Sequence, residues 1–401
     1  MTRAGDARES PAIVVLGHGR PSALARLLGS LERAAIPDGT ALVVSIDGGG
    51  DPQVAQVARA ARWPFGPLEI VVRERNLGLR AHVLACGDLV ERFGSIVMLE
   101  DDLFVSRRFY AFAAQALARY AGDPAIAGVS LYAHRINVGA RLPFWPIEDG
   151  SDVFFLQLPS SWGQAWTRDQ WGRFRRWLDG DRRGLDFARL PPHIAAWPES
   201  SWLKYFAAFT VATGSFVVYP RVSLTTNFND RGTHVRHADQ RFQVPLRLDG
   251  EEYRFRALEE SAAAYDAFFE LLPARLRALC PALGDSALDV DLYGTKRADH
   301  VSAPWVLTTR RCARIEHGYG RELKPHELNV IHGVPGDAIR FARAGDVVRE
   351  APAFSRDVAR RRSDHAYFFR TAPGPDAAAI AADALDLFRN TFRALRASRR
   401  P

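Results

Sequence analysis

Short apolar runs alternate with longer amphipathic stretches through the first hundred residues, and this alternation restricts the possible folds more than any other feature. Four runs have the length and composition of strands buried on both faces, and they cover residues 12–16, 41–46, 68–72 and 95–99. The stretches between them have the spacing of amphipathic helices. Parallel strands linked in this way need right-handed crossovers. We therefore predict an α/β fold with a mostly parallel sheet flanked by helices.

Three consecutive carboxylates, Glu100, Asp101 and Asp102, follow the fourth run directly. If the strand continues through them, Glu100 and Asp102 share one face and Asp101 points to the other. Clustered acids repel one another unless a cation neutralises them, and ligands of open α/β sheets bind just beyond the carboxyl ends of the strands. The cluster therefore indicates a divalent metal that holds an anion such as a diphosphate. A solvated acidic loop is the alternative.

The ends of the first three runs also carry polar side chains, namely Arg20, Asp47 and Asn76. An arginine pairs with phosphate, and a carboxylate accepts hydrogen bonds from a nucleotide base or a ribose hydroxyl. Each residue alone is more typical of a turn or of the surface, but together, on successive strand ends, they indicate a nucleotide site. Residues 17–21 and 47–52 match neither a dinucleotide-binding fingerprint nor a Walker loop, which argues against nicotinamide enzymes and P-loop nucleotidases.

A tryptophan-rich turn follows a predicted strand in the middle of the chain. Trp162 and Trp166 in this turn form either a platform for a sugar ring or a part of the core. Further along, His234 follows a turn that contains glycine, and it is either a metal ligand, a phosphate donor or a structural histidine.

The pattern changes near residue 240, which divides the chain into a first domain, residues 1–240, and a smaller α+β region, residues 241–401. In the second region we predict helices near 259–279, short strands, and a final amphipathic helix at about 376–399. This arginine-rich helix either docks on the body of the protein or lies on an anionic lipid surface.

The net charge of +7 is carried almost wholly by arginine, which favours anionic partners such as nucleotides, phosphates or an acidic membrane surface. We expect no nucleic-acid partner. The three cysteines form no CxxC pair, and the polar N-terminus lacks the apolar core of a signal peptide. No apolar run reaches the roughly 18 residues of a membrane span. We expect a cytoplasmic protein, either soluble or peripheral to the inner face of the membrane.

The N-terminal 235 or so residues resemble GT-A-fold glycosyltransferases, chiefly the family-2-like bacterial enzymes and more distantly the N-acetylglucosaminyltransferase of N-glycan branching. The order and spacing of several short motifs carry this resemblance, and they lie at residues 19–21, 44–47, 75–78, 99–103, 159–166 and 232–234. The fold that the resemblance implies is the GT-A, Rossmann-like variant of the predicted α/β sheet. Residues 291–296 resemble the segment that comes after this core in some bacterial relatives.

The resemblance implies a metal-dependent, inverting transferase of the hexosyl or N-acetylhexosaminyl type. It would move a sugar from a nucleotide-diphosphate-sugar to a hydroxyl of a carbohydrate or lipid-linked acceptor, as in surface polysaccharide or glycolipid synthesis. Asp102 would bind Mn²⁺ or Mg²⁺ directly, with His234 as a further candidate ligand. Glu100 and Asp101 would contact ribose or metal-bound water.

The resemblance also assigns the remaining roles. Asp47 would contact the nucleotide base, with Arg20 and Asn76 nearby. The first candidate for the catalytic base is Asp152, which precedes a Phe-Phe pair. Glu199, at the start of a later helix, is the second candidate, and Asp149 is the third.

Two other functions remain open at this point. A sugar-phosphate nucleotidyltransferase shares the sheet and the metal, but it needs a Gly-rich loop with Arg and Lys on the first strand, which residues 17–21 do not supply. A non-catalytic carbohydrate- or nucleotide-binding protein would explain the positive charge and the tryptophans. It would not explain carboxylates at successive strand ends.

Overall fold

A large mixed sheet organises the structure, a computed structural model that describes residues 10–228, 230 and 242–348. Within these residues the strands are β1 Ala12–Gly17, β2 Leu42–Ile46, β3 Leu68–Val72, β4 Ser95–Glu100, β5 Leu103–Val105, β6 Ile126–Ser130, β7 Ile136–Asn137, β8 Leu142–Pro143, β9 Val153–Leu156, β10 Gln164–Thr167, β11 Phe216–Pro220, β12 Thr225–Asn227, β13 Ala264–Tyr265, β14 Leu288–Asp291, β15 Trp305–Thr308, β16 His317–Tyr319 and β17 Ile339–Arg343. The α-helices of the same residues are α1 Pro21–Glu32, α2 Pro52–Arg59, α3 Leu79–Gly87, α4 Val90–Phe93, α5 Phe109–Tyr120, α6 Arg168–Asp179, α7 Pro192–Ala195, α8 Trp202–Thr213, α9 Pro273–Leu279 and α10 Glu327–Ile331.

The main sheet has nine strands among the described residues, in the order β13-β9-β11-β6-β10-β4-β1-β2-β3. Strands β3, β2, β1 and β4 are parallel to one another, and β6 is parallel to β11. Strand β10 is antiparallel to both β4 and β6, so those two strands point the same way. The carboxyl ends of β1, β2, β4, β6 and β11 therefore meet at one edge. The prediction of an α/β fold with a mostly parallel sheet is confirmed.

Burial on both faces explains why these strands read as continuous apolar runs. In β1, Ile13 and Val15 pack into one core while Val14 and Leu16 pack into the other, because neighbouring side chains point to opposite faces. The helices use local signals to begin. Thr167 and Gln170 cap the start of α6 reciprocally, each side chain accepting a hydrogen bond from the backbone N–H of the other, at 3.2 Å and 3.1 Å.

Two element predictions need correction. The acidic stretch is not one continuous strand, because β4 ends at Glu100, residues 101–102 turn, and β5 then pairs antiparallel with β12. Glu100 and Asp102 are therefore not two positions on one strand face. The predicted helices near 259–279 are reduced to α9, and β13 instead extends the main sheet beside β9. Long-range pairing overrides local helix propensity there.

A second, four-stranded sheet with the order β14-β15-β17-β16 lies in the C-terminal region, together with α9 and α10, whereas β13 of the same region belongs to the main sheet. A smaller C-terminal sheet region is thus present. The described residues up to Val347 belong to one compact unit. The boundary at 240/241 stays a prediction, and the predicted amphipathic helix at 376–399 lies outside the described residues. None of the helices in the described part of the chain is long and apolar enough to cross a membrane.

The central sheet packs tightly around Trp166, and this gives a test of the fold. A Cβ at Gly128 on β6 would lie 2.5 Å from the indole nitrogen of Trp166, which is itself only 1% exposed. We expect Gly128→Ala to lower the free energy of unfolding by about 1–3 kcal/mol, because the indole must leave its packed position. Thermal or urea denaturation measures the change. Gly122→Ala is the matched control, since a Cβ at Gly122 meets nothing within 4 Å; equal stability of the two variants would contradict the packing described.

Candidate functional site

The loops that follow β1, β2 and β3 pack against one another at the carboxyl edge of the sheet. A Cβ at Gly48 would lie 2.4 Å from the carbonyl carbon of Arg75, and one at Gly50 would lie 1.9 Å from the carbonyl oxygen of His18. No side chain fits at either position, so glycine is required for the middle loop to lie between its neighbours. These contacts bring Arg20, Asp47 and Asn76 into one region, as the sequence predicted for a single site.

Asp47 holds two of these loops together. Its Oδ1 accepts hydrogen bonds from the backbone N–H groups of Gly48 and Leu77 at 3.0 Å and 2.8 Å, and its Oδ2 accepts one from Gly78 at 3.1 Å. Asn76 supports the same turn, because its Oδ1 also accepts from the Gly78 N–H at 2.7 Å. A carboxylate has about four acceptor positions, so these three bonds leave about one position of Asp47 unused.

A buried histidine lies beside Asp47, and the sequence did not reveal it. His82 on α3 contacts the Ser45 hydroxyl of β2, with 2.8 Å between Nε2 and Oγ. Burial lowers the pKa of His82 to about 4, although the charge of Asp47 opposes this shift. The imidazole is therefore uncharged at neutral pH. Its contact with Ser45 links α3 to β2 beside Asp47 without adding a positive charge. Apart from Arg80, the rest of its helix is apolar or small, so no periodic signal marks it.

Arg20 joins the two aspartates that follow β4. Its guanidinium donates to Oδ2 of Asp102 at 2.9 Å and also to Oδ1 of Asp101. Both carboxylates are buried, and Oδ1 of Asp102 is a buried oxygen that accepts no hydrogen bond from the described residues. Burial and the two neighbouring carboxylates raise the pKa of Glu100 to about 8. The predicted acidic site is therefore a pair of aspartates neutralised in part by an arginine, next to a glutamic acid that resists ionisation.

The residues present fit a divalent metal that is held mainly by its substrate. Within the described ranges, no three His, Cys, Asp or Glu side chains are grouped as a metal site. One free carboxylate oxygen, Oδ1 of Asp102, is nevertheless available. Mg²⁺ in phosphate sites is commonly bound through one or two carboxylates, with substrate phosphates and water completing the shell. His234, the other predicted ligand, lies outside the described residues.

Glu199 lies just before α8 and is held by its neighbours. Its carboxylate accepts hydrogen bonds from the Tyr205 hydroxyl and from Nζ of Lys204, the latter at 3.1 Å. Arg80 of α3 donates to the Glu199 carbonyl oxygen at 3.1 Å and stacks over the Tyr205 ring at 4.1 Å. The hydrogen bond from Tyr205, followed by that from Lys204, lowers the pKa of Glu199. Since Arg80 follows Gly78 by two residues, these contacts connect Glu199 to the loops around Asp47.

No sequence motif marked Arg80, Lys204 or Tyr205. One signal was present for Lys204, because it is one of only three lysines in an arginine-rich chain. A lysine ammonium is a compact donor, and Lys204 is buried with its Nζ bonded to the Trp197 carbonyl oxygen at 2.9 Å.

The first candidate base, Asp152, lies in different surroundings at the start of β9. Its carboxylate is 3.4 Å from Arg247 and accepts from the backbone N–H of Arg254 at 2.8 Å. These partners outweigh its partial burial, so the pKa of Asp152 is lowered. Strand β9 lies four positions from β4 in the sheet, or about 19 Å at the usual strand spacing. Asp152 therefore lies well away from Asp102.

Asp149, the third candidate, has a structural environment. It accepts hydrogen bonds from the side chains of Ser151, Ser261 and Arg221, each at 2.7 Å. These bonds lower the pKa of Asp149 despite its burial, and they leave little capacity to accept a proton.

The two predicted platform tryptophans differ. Trp166 is not a sugar platform, because its ring is buried among Trp171, Trp202 and Phe206. Trp162 is only partly buried, and its ring centroid lies 4.6 Å from that of Tyr132. Of the pair, Trp162 alone has a surface that a sugar could contact.

Comparison with known proteins finds no matching family model and no matching curated protein. Among solved structures, a mannosyltransferase from Pyrobaculum calidifontis in complex with GDP-Man and Mn²⁺ is 15% identical, with 52% of this chain and 55% of that chain covered and a TM-score of 0.34. S. aureus TarS 1–349 in complex with UDP-GlcNAc is 13% identical, with 56% and 60% covered and a TM-score of 0.33. The chain thus spans between half and two thirds of the length of these two structures.

The hydrogen bonds of Asp47 lead to a direct test of the site's architecture. We expect Asp47→Ala to accelerate hydrogen exchange at the Leu77 amide by about tenfold or more, because a hydrogen bond to a charged acceptor contributes about 1.5–3 kcal/mol. The Gly78 amide should change less, since it also donates to Oδ1 of Asn76. Hydrogen–deuterium exchange with mass spectrometry measures this effect in the peptide over residues 73–80. Asp38→Ala, at an exposed loop position, should leave the same peptide unchanged. Unaltered exchange in Asp47→Ala would mean that the carboxylate does not hold the two loops together.

Proposed function

We propose that the protein is a metal-dependent glycosyltransferase that moves a sugar from a nucleotide-diphosphate-sugar to an acceptor hydroxyl. The observation that carries the proposal is the buried, unpartnered Oδ1 of Asp102 at the carboxyl end of β4. It lies beside a guanidinium and at the sheet edge where the Asp47 loops end. An open α/β sheet binds its ligand at this edge, and an unpaired carboxylate oxygen there suits a cation that carries a diphosphate.

Asp102 would hold Mn²⁺ or Mg²⁺, with diphosphate oxygens and water as the other ligands. When bound, the metal would supply charge neutralisation for the diphosphate leaving group. Asp101, tied to Arg20, maintains the negative potential that attracts the cation. Glu100, with its raised pKa, can donate a hydrogen bond to a ribose hydroxyl or to metal-bound water.

The nucleotide would lie against the loops after β1, β2 and β3. Asp47 has one remaining acceptor position for an N–H of the base or for a ribose hydroxyl. Glycines in the loop after β2 allow its backbone to lie directly against the backbone of His18 and of Arg75. Asn76 acts by shaping the turn that carries Leu77 and Gly78 rather than by reading the nucleotide.

Glu199 is the general base that we propose, in place of Asp152. Its carboxylate is held by Tyr205 and Lys204, and its backbone is bonded to Arg80 near the nucleotide loops. Its side chain is 69% exposed, so an acceptor can reach it. Asp152 is occupied by Arg247 and Arg254 about four strand spacings from β4. A carboxylate that takes the proton while the hydroxyl attacks from the face opposite the diphosphate gives inversion.

The acceptor would be a carbohydrate or a lipid-linked saccharide, with the partly buried Trp162 as the aromatic surface for its ring. Surface polysaccharide or glycolipid synthesis is the process that such an acceptor would serve. The sugar that we propose for the donor is either a hexosyl or an N-acetylhexosaminyl group. Peripheral contact with the membrane would depend on the C-terminal segment beyond the described residues.

Binding of nucleotide diphosphates tests the proposed donor site. We expect UDP or GDP with Mn²⁺ to raise the melting temperature of the full chain by several degrees, because a ligand that binds only the folded state stabilises it. Asp102→Asn should lose the Mn²⁺-dependent part of this shift, since its free oxygen no longer carries charge. Differential scanning fluorimetry across both nucleotides, with and without Mn²⁺, provides the measurement. Shifts that are identical with and without the metal would contradict the metal assignment and favour simple nucleotide binding.

Turnover with a donor and acceptor tests the base. Glu199→Gln should reduce kcat by roughly 10²–10⁴-fold with little change in donor affinity, which is the usual contribution of a general base. Asp152→Asn serves as the comparison and should retain most of the wild-type kcat. A large loss in Asp152→Asn together with normal turnover in Glu199→Gln would return the role to Asp152.

The pH dependence of turnover gives an independent readout. The hydrogen bond from Tyr205 lowers the pKa of Glu199, so the wild-type base stays ionised into the acidic range. Tyr205→Phe removes that bond, which raises the pKa and should move the acidic limb of the kcat/KM profile to higher pH. Lys204 and Arg80 remain beside the carboxylate in this variant and limit the size of the shift. An unmoved acidic limb would show that another group titrates.

A further inference from the structure

We propose that Arg20 makes divalent-cation binding at Asp102 conditional on a diphosphate, because it already occupies the acidic site as a resident positive charge. This proposal rests on the proposed function, in that it concerns the same metal position. It goes further by assigning Arg20 a role in the order and coupling of binding. A bare cation would bind weakly, and a cation that arrives with a diphosphate would bind tightly.

Arg20 bonds some of the carboxylate oxygens of the acidic site and leaves Oδ1 of Asp102 without a bond from its guanidinium. One guanidinium nitrogen bonds Asp101, and another bonds Oδ2 of Asp102 at 2.9 Å. Oδ1 of Asp102 is buried and receives no hydrogen bond from the part of the chain that the structure describes. Arg20 therefore fixes the orientation of the Asp102 carboxylate and leaves one oxygen for a metal. The side chains of Asp101 and Asp102 are only 6% and 11% exposed, so water screens this arrangement poorly.

Charge balance decides which ligand this arrangement favours. Arg20 offsets one of the negative charges that Asp101 and Asp102 present to a cation. A bare divalent cation at Oδ1 of Asp102 would lie in a poorly screened site next to this like-charged guanidinium. A cation that arrives with a diphosphate brings compensating negative charges, and these attract the guanidinium as well. The site is therefore matched to the complex rather than to the free metal.

Removal of the arginine charge should reverse this preference. In Arg20→Gln, the aspartates face the cation without a competing positive charge beside them. The bare metal should then bind more tightly than it does to the wild type. If Arg20 only recognised phosphate, its loss would leave the affinity for the bare metal unaltered. A residue that only oriented Asp102 would give the opposite result, because its loss would weaken the metal.

The experiment measures Mn²⁺ binding to the full chain by electron paramagnetic resonance of the free ion, first alone and then with UDP or GDP. For the wild type, we expect the diphosphate to tighten Mn²⁺ binding at least tenfold. For Arg20→Gln, we expect bare Mn²⁺ to bind about tenfold tighter than to the wild type, and the enhancement by diphosphate to fall below threefold. Arg20→Lys keeps the charge and should behave as the wild type does.

Two further variants establish that the effect is local. Arg92→Gln removes an exposed arginine of α4 that is paired with Glu69 on β3 and should leave Mn²⁺ affinity unchanged. Asp102→Asn in the Arg20→Gln background should abolish the gain, which locates the ion at Asp102. Thermal melting tests whether each variant is folded. If Arg20→Gln does not fold, Arg20→Met takes its place in the experiment.

Equal or weaker binding of bare Mn²⁺ to folded Arg20→Gln would overturn the proposal. That outcome is separate from failure of the transferase function. If no nucleotide diphosphate binds the wild type, the proposed function fails, while the comparison of bare Mn²⁺ affinities still decides the role of Arg20.

Discussion

The structure depends on one constraint, the burial of parallel strands on both faces. Strands β1, β2 and β4 cannot be exposed to water, so helices must cover each face, and the chain must return across the sheet before every new strand. As a result, the carboxyl ends of these strands meet at one edge. The polar residues that interrupt each apolar run are thereby gathered in space, although they are separated by tens of residues along the chain. The candidate site follows from the topology rather than from a local motif.

At that edge, polar groups are held by one another as much as by the sheet. Asp47 binds three backbone N–H groups of adjacent loops, and Arg20 binds the two aspartates after β4. Asp47 uses three of its roughly four acceptor positions, whereas Asp102 accepts from Arg20 at Oδ2 and from none of the described residues at Oδ1. Buried charges persist only when paired. The open positions therefore mark where a ligand can complete the set.

The choice between Asp152 and Glu199 illustrates how neighbours determine chemistry. Both are carboxylates whose pKa is lowered, but for different reasons. Asp152 is held by a backbone N–H and two arginines that fasten the segment after β12 to the start of β9. Glu199 lies before α8, is held by a tyrosine and a lysine of that helix, and faces solvent. The first carboxylate is occupied by fixing a loop, and the second is accessible, which is why we propose Glu199 as the base.

The sequence by itself determined the fold class and the place of the acidic residues, because strand burial and helix periodicity are local properties of the chain. The limits of β3, residues 68–72, could also be predicted from the local pattern. Only the tertiary structure decided that the acidic stretch turns after Glu100, that Trp166 is core, and that β13 joins the main sheet. It also brought Arg80 to Glu199 and Arg20 to Asp102, residues 119 and 82 positions apart. Such pairings depend on chain topology and side-chain packing, which short-range patterns do not encode.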